Sequence, residues 1–223
     1  AAYDRRTMKV ARAVAQLLAR AEVNFAVLGP EERCTGESAR RMGDEFLFQK
    51  LAMTNIETFT KHNVKKIVTH CPHCLNSLRQ DYPQFDGHYE VVHHSQFLGE
   101  LVAAKKLKAA AVMNESVTYH DPCYLARVNG ITEAPRALLP DLTEMPRSRC
   151  QTACCGAGGG RMWFDDPAEE RIGQSRVTEA LDTGAKTVAV SCPFCLTMMT
   201  DGIAAKDDSV QVRDVAELML KDN

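Results

Sequence analysis

The sequence predicts an α/β protein folded as two similar halves, each built around a small parallel sheet. Three observations carry this reading. Short apolar strands alternate with helical patterns along the 223 residues, as βαβ units do. Cys34, Cys71 and Cys74 recur 121 positions later as Cys155, Cys192 and Cys195 without a gap. Lys65-Lys66-Ile67-Val68 and Pro72 meet Lys186-Thr187-Val188-Ala189 and Pro193 at the same offset, which marks a duplication. Finally, both Cys-Pro-x-Cys pairs directly follow a predicted strand, where the functional loops of parallel sheets gather. The expected domains are residues 1–108 and 109–223.

In order, Thr7 to Ala21 carries Val10, Val14, Leu17, Leu18 and Ala21 at helical spacing, giving one buried stripe. Val23 to Leu28 reads as a short buried strand closed by Gly29-Pro30. Cys34 sits in the following loop. A helix is expected from Glu37 to about Phe59, with Phe46, Leu47, Leu51 and Ile56 on its apolar side. Lys66 to His70 is a strand that delivers Cys71-Pro72-His73-Cys74, and a helix is expected from Leu75. Tyr89 to His93 is a strand, Ser95 to Ala104 a helix, and Lys105 to Asn114 an alanine-rich connector. The plan then repeats. Val117 to His120 is a strand entering Asp121-Pro122-Cys123, Ile131 to Leu139 is helical, and Leu142 to Met145 is strand-like. Ala168 to Leu181 is a helix, Lys186 to Ser191 a strand ending in Cys192-Pro193-Phe194-Cys195, and Val210 to Arg213 the last strand before a helix at Val215 to Leu220.

Composition narrows the class. At 45% hydrophobic and 25% charged residues the chain is an ordinary globular sequence, and a net charge of −2 argues against a nucleic-acid surface. No apolar run is long enough to span a bilayer, and Ala1 to Lys9 is too polar for a secretory leader. Nine cysteines in such a chain point to metal or redox chemistry rather than disulfides, and to a cytoplasmic setting.

Thiolates suit zinc or iron–sulfur clusters. The second half offers Cys123, the pair Cys154-Cys155, Cys192 and Cys195. Five thiolates exceed what tetrahedral zinc can use, whereas a multi-iron cluster can use them all. Gly156 and the glycines after it free backbone N–H groups to approach anionic sulfur. His120, close to Cys123, is placed to donate a hydrogen bond to a cluster sulfur, although a capped loop histidine fits as well. At the repeat offset, Arg33 and Ala2 stand where Cys154 and Cys123 would have counterparts. The first half therefore keeps Cys34, Cys71 and Cys74. With His70 or His73 these would make a zinc site; with an upstream cysteine, a second cluster; otherwise the site is vestigial. The chain is expected to be a piece of a longer protein. Cys150 reads as a non-ligand, His93 and His94 as packing or surface residues, and Met162, Trp163 and Phe164 as a lid.

The pattern Cys123, Cys154-Cys155-Gly156, Cys192-Pro193-Phe194-Cys195 resembles the CCG (cysteine-rich) domain family, to which a subunit of heterodisulfide reductase belongs. More narrowly, Tyr119-His120-Asp121-Pro122-Cys123, Cys155 to Trp163 and Cys71-Pro72-His73-Cys74-Leu75-Asn76 are similar to membrane-linked iron–sulfur oxidoreductases that accompany electron-transfer flavoproteins. The resemblance implies two pseudo-symmetric Rossmann-like domains with a 4Fe–4S cluster at their interface, non-cubane where all five thiols are present. It implies as partners an electron-transfer flavoprotein or flavin dehydrogenase and a quinone-linked acceptor. It also implies ferredoxin-like and membrane segments elsewhere in the protein, at the cytoplasmic face of the membrane. Arg33 departs from the five-cysteine pattern and favours simple electron relay over paired-cluster disulfide chemistry. Thiol–disulfide reduction at the five-cysteine site, in the manner of heterodisulfide reductase, and a zinc-stabilised interaction module stand as the alternatives. No residue is assigned a catalytic role.

Overall fold

The computed structural model describes residues 4–110, 116–164, 166–167 and 170–220. The first half runs α1 (Thr7–Arg20), α2 (Glu37–Arg41), α3 (Glu45–Lys61), β1 (Lys66–Thr69), α4 (Pro72–Asn76), β2 (Glu90–His93) and α5 (His94–Ala103). The second runs β3 (Val117–Tyr119), α6 (Glu133–Ala137), β4 (Leu142–Thr143), α7 (Gly173–Asp182), β5 (Thr187–Val190), α8 (Pro193–Ala204), β6 (Gln211–Asp214) and α9 (Val215–Leu220). Both sheets are parallel: β1 with β2, and β4-β3-β5-β6. The α/β class with small parallel sheets is as predicted.

The duplication reaches the backbone pairing. β1 and β2 map on β5 and β6 residue for residue at the offset of 121, and the register Lys66↔Glu90 repeats as Thr187↔Gln211. Thus the carboxyl ends of β1, β2, β3, β5 and β6 deliver His70, His93, His120, Ser191 and Asp214 in turn. All but His70 are fully buried.

Several expected elements change. Residues 23–28 form no strand, and Val27 is 77% exposed. An isolated strand leaves its N–H and C=O groups unmatched, and no described strand pairs with this segment. The helix expected over Glu37–Phe59 is two helices. Gly43 at φ +91° breaks it, and Asp44 caps α3 by accepting from the Leu47 N–H at 2.9 Å. The restart rotates the buried face to Phe48, Ala52, Asn55 and Phe59, leaving Phe46 83% exposed and Leu47 also exposed. α4 begins at Pro72 rather than Leu75, since proline suits the first helical position. The helices expected from Ile131 and Ala168 begin at Glu133 and Gly173, and the strand expected over Leu142–Met145 keeps only two residues. Ala2, Ala168 and the connector's residues 111–114 lie outside the described residues.

The halves share a core. α1 and α5 bury Leu17, Leu18, Leu98 and Leu101 in one cluster with Val117 and Tyr119 of β3 and with Val215, Leu218 and Met219 of α9. Arg6 and Glu217 pair at 2.8 Å at the rim of this packing. A second cluster holds α7, β5 and α8, and a third holds α3, α4 and β2. No helix among the described residues is long and apolar enough to cross a membrane.

Candidate metal centre

The two Cys-Pro-x-Cys motifs are strand-to-helix turns. Cys71 and Cys192 are the N-cap residues of α4 and α8, with proline at the first helical position. Their carbonyls accept from Leu75 and Leu196 at 2.9 and 2.8 Å. The second cysteine of each pair therefore lies in the first helical turn, beside its partner.

Asp121 organises the Cys154-Cys155 loop. Its carboxylate accepts from both terminal nitrogens of Arg136 at 2.8 Å and from the Arg149 N–H at 2.7 Å. Its carbonyl accepts from the Thr152 hydroxyl at 2.9 Å. Gly156 then turns at φ +92°, and its N–H donates to the Cys154 sulfur at 3.3 Å. Gly173 lets the start of α7 reach this loop, because a Cβ there would lie 2.5 Å from the Cys155 carbonyl oxygen.

The structure brings seven of the eight expected ligands into one line. Cys123 hydrogen-bonds to Cys154, and Cys154 to Cys155. Cys155 and Cys195 meet with their sulfurs 3.4 Å apart. Thiol hydrogen bonding likewise links Cys195 with Cys192, Cys192 with Cys71, and Cys71 with Cys74, all of them free cysteines. The Cys71–Cys192 contact joins the halves, so the two cysteine groups meet at the boundary between them. Cys34 is exposed and outside this line; its sulfur accepts from the Gly36 N–H at 3.4 Å. Thr35 next to it donates to the Cys74 sulfur at 3.4 Å, and Asn55 grips the Cys34 carbonyl at 2.9 Å. Arg33 folds back to the carbonyls of Pro30 and Glu32. Cys150 is exposed and donates to the Ala126 carbonyl.

Ionisation is uneven along the line. Hydrogen bonds from Cys123, Cys155 and the Gly156 N–H hold Cys154 far below the usual thiol range. Cys192 is also held low: burial opposes its ionisation, but hydrogen bonds from Cys195, Cys71 and the backbone outweigh it. Cys71, Cys74, Cys123, Cys155 and Cys195 are pushed up, each chiefly by the hydrogen bond in which its thiol donates to the neighbouring sulfur. Full ionisation needs cationic charge at the sulfurs, which metal ions supply.

Around the thiols lie polar groups that the sequence singled out only in part. His120 is fully buried, and a ring nitrogen lies within 4.8 Å of the sulfurs of Cys155 and Cys195. Burial lowers its pKa to about 3, so the ring is neutral. Glu37 and His73, both buried, pair at 3.0 Å, and Tyr124 stacks on His73 with centroids 4.0 Å apart. Tyr124 follows Cys123 and His73 lies between Cys71 and Cys74, so this stack also bridges the halves. His93 and His94 are fully buried, and His94 pairs with Asp214 at 2.9 Å. Trp163 and Phe164 are exposed, with Trp163 edge-on to Phe194 at 6.0 Å. Arg176, which had no place among the expected site residues, donates to His120 Nδ1 at 2.8 Å. A signal for it existed: it falls on the apolar face of α7 with Val177 and Ala180.

A parallel α/β fold that gathers contacting thiols at its strand ends, with Cys155, Cys192 and Cys195 buried, offers a donor set suited to a soft metal. The donor set fits a multi-iron cluster, because single-metal tetrahedral sites use four ligands and not a continuous row of seven. The cysteine-rich domain (CCG) family matches residues 1–79 and again 117–200, and the chain belongs to that family. It is 45% identical to the probable iron-sulfur-binding oxidoreductase FadF of Bacillus subtilis, over 97% of this chain and 32% of that protein. It is 41% identical to the EtfAB:quinone oxidoreductase of Syntrophomonas wolfei, over 98% of this chain and 32% of that protein. A probable membrane-anchored ferredoxin of Chromohalobacter salexigens is 42% identical over 97% of this chain and 34% of its own length. The chain thus spans about a third of the length of these relatives.

Proposed function

We propose that the chain is the electron-relay module of a larger iron–sulfur oxidoreductase, passing electrons between a flavoprotein, of electron-transfer-flavoprotein type, and a quinone-linked acceptor. The observation that carries this is the unbroken row of thiols from Cys123 to Cys74, which runs from one half into the other. Cys123, Cys154, Cys155, Cys192 and Cys195 would hold one cluster, of 4Fe–4S type and non-cubane if all five ligate. Cys34, Cys71 and Cys74 would supply three ligands of a second. A bound cluster supplies reversible one-electron storage.

The protein's part is to set the surroundings. Buried Cys155, Cys192 and Cys195 keep the site out of water. Gly156 offers its N–H and His120 a ring nitrogen to the sulfurs, which stabilises added negative charge. The similarity to the EtfAB:quinone oxidoreductase supports the choice of partners, and the similarity to a membrane-anchored ferredoxin supports a place at the cytoplasmic membrane face through segments beyond this chain.

Anaerobically purified full-length protein is expected to contain iron and acid-labile sulfide, to show paramagnetic cluster signals, and to oxidise reduced electron-transfer flavoprotein. Zinc alone, or cluster-loaded protein inert toward that donor while turning over a small disulfide, would overturn the relay.

A further inference from the structure

Arg176 is the largest fully buried side chain among the described residues. Its Nε donates to His120 Nδ1 at 2.8 Å, and Nη1 donates to the Arg147 carbonyl and to Glu179, each at 2.7 Å. A guanidinium only donates, so Nδ1 of His120 must accept with its lone pair. That fixes the neutral ring as the tautomer with its proton on Nε2. No other group takes this proton: His120 Nε2 is buried and has no hydrogen-bond partner among the described residues. With Nδ1 occupied, Nε2–H is the ring's one free donor, and a ring nitrogen of His120 lies within 4.8 Å of the sulfurs of Cys155 and Cys195.

The two halves differ at this position. At the offset of 121, Arg176 corresponds to Asn55 on α3. Asn55 is also buried, but it is a neutral amide that donates to the Cys34 carbonyl and the Tyr82 hydroxyl, both at 2.9 Å. The same helix position thus braces a ligand loop through its backbone in one half. In the other half it carries an arginine that holds a backbone carbonyl too, at Arg147, and in addition a histidine ring.

We propose that Arg176 is a positioning residue for electron transfer: by locking His120 as the Nε2–H tautomer, it aims one hydrogen bond at the sulfur of the cluster in the second half and raises that cluster's reduction potential. The reduced cluster carries one more negative charge, so a donor to its sulfur stabilises the reduced form more than the oxidised one. With the proton on Nδ1 instead, a lone pair would face the sulfurs and the effect would reverse. This inference rests on the reading that the second half holds an iron–sulfur cluster.

The test uses cluster-loaded full-length protein with 15N-labelled histidine. In the reduced state, pulsed paramagnetic spectroscopy is expected to show one histidine nitrogen and one solvent-exchangeable proton coupled to the cluster, both lost in His120→Phe. Potentiometric titration is expected to show His120→Phe and Arg176→Gln each shifting the midpoint to lower potential, with the double variant no lower than His120→Phe alone. A loaded protein without histidine coupling would overturn the proposal, and that measurement needs no substitution at Arg176 should Arg176→Gln fail to fold. An Arg176→Gln shift that persists in the His120→Phe background would also overturn it, since the arginine would then act through its own charge. Protein that takes up no iron or sulfide refutes the cluster reading itself, an outcome distinct from either.

Discussion

Asp121 accepts from two nitrogens of Arg136 and from the Arg149 N–H, so a neutral side chain there leaves Arg136, whose side chain is nearly buried, short of charge compensation. Breaking one partner of such a pair costs about 3–5 kcal/mol; Glu144 also binds Arg136 and puts the cost near the low end. Asp121→Asn is therefore expected to destabilise by about 3 kcal/mol in denaturant unfolding and to lower the iron content, because the same carboxylate anchors the loop before Cys154. Cys155→Ser is expected to abolish the cluster signal of the second half, while Cys150→Ser leaves iron per chain unchanged; equal iron in both variants would remove Cys155 as a ligand. Six of the eight expected ligand cysteines were legible because the offset of 121 pairs them, whereas Cys123 and Cys154 have no counterpart at that offset and were read from their own motifs. Asp121 stood within a visible motif, but its bonds to Arg136 and Arg149 depend on a loop closing back over it. Glu37 was illegible for a different reason: a buried charge reads as a surface residue until its partner is known, and for Arg176 only its place on the apolar face of α7 hinted at burial.

Among the elements, strands with a paired neighbour form where the sequence places them, β4 in shortened form, and residues 23–28 form none. Apolar composition marks a segment that suits a strand, whereas a strand exists only if another accepts its hydrogen bonds. The face of α3 was misjudged because one glycine and one cap restart the helical phase, a local event that smooth periodicity hides. The approach of α7 to the Cys155 loop can be tested directly. Gly173→Ala would set a methyl group 2.5 Å from a backbone oxygen, and backbone has no side-chain rotamer to yield. A cost of about 1–3 kcal/mol in thermal unfolding is expected, together with poorer cluster retention; a neutral result would mean the loop and helix do not touch. The strand ends also set an acid limit. Burial holds His93 well below its usual pKa of 6.5 and lowers His70 to about 4, so both are neutral when folded. Unfolded, they take up protons below about pH 6.5, so the unfolded state binds more protons there. Stability is thus fully present above pH 6.5 and falls as the pH drops toward 4. His93→Gln is expected to flatten the dependence of Tm on pH between these limits, and an unchanged slope would remove His93 as a contributor.

At the scale of the molecule, sequence symmetry suggests two units joined by a linker, and the packing does not divide there. α1 and α5, which belong to the first half by sequence, put Leu17, Leu18, Leu98 and Leu101 into the cluster that also holds β3 and α9, with Leu107 just beyond α5. Removing the first half would uncover the face these five leucines fill. At about 2 kcal/mol for each buried leucine, the loss is of the order of 10 kcal/mol, comparable to the whole stability of a domain. The thiol row gives a chemical reason of its own, since Cys71 reaches Cys192 and the His73–Tyr124 stack spans the same boundary. Residues 109–223 produced alone are therefore expected to be poorly soluble or unfolded by circular dichroism and to retain no cluster, although they contain all five cysteines of the complete motif. Supplying residues 1–108 as a separate chain is expected to restore both solubility and iron binding. A second half that folds and holds its cluster unaided would show that the shared core is incidental and that the five thiols form a self-sufficient site.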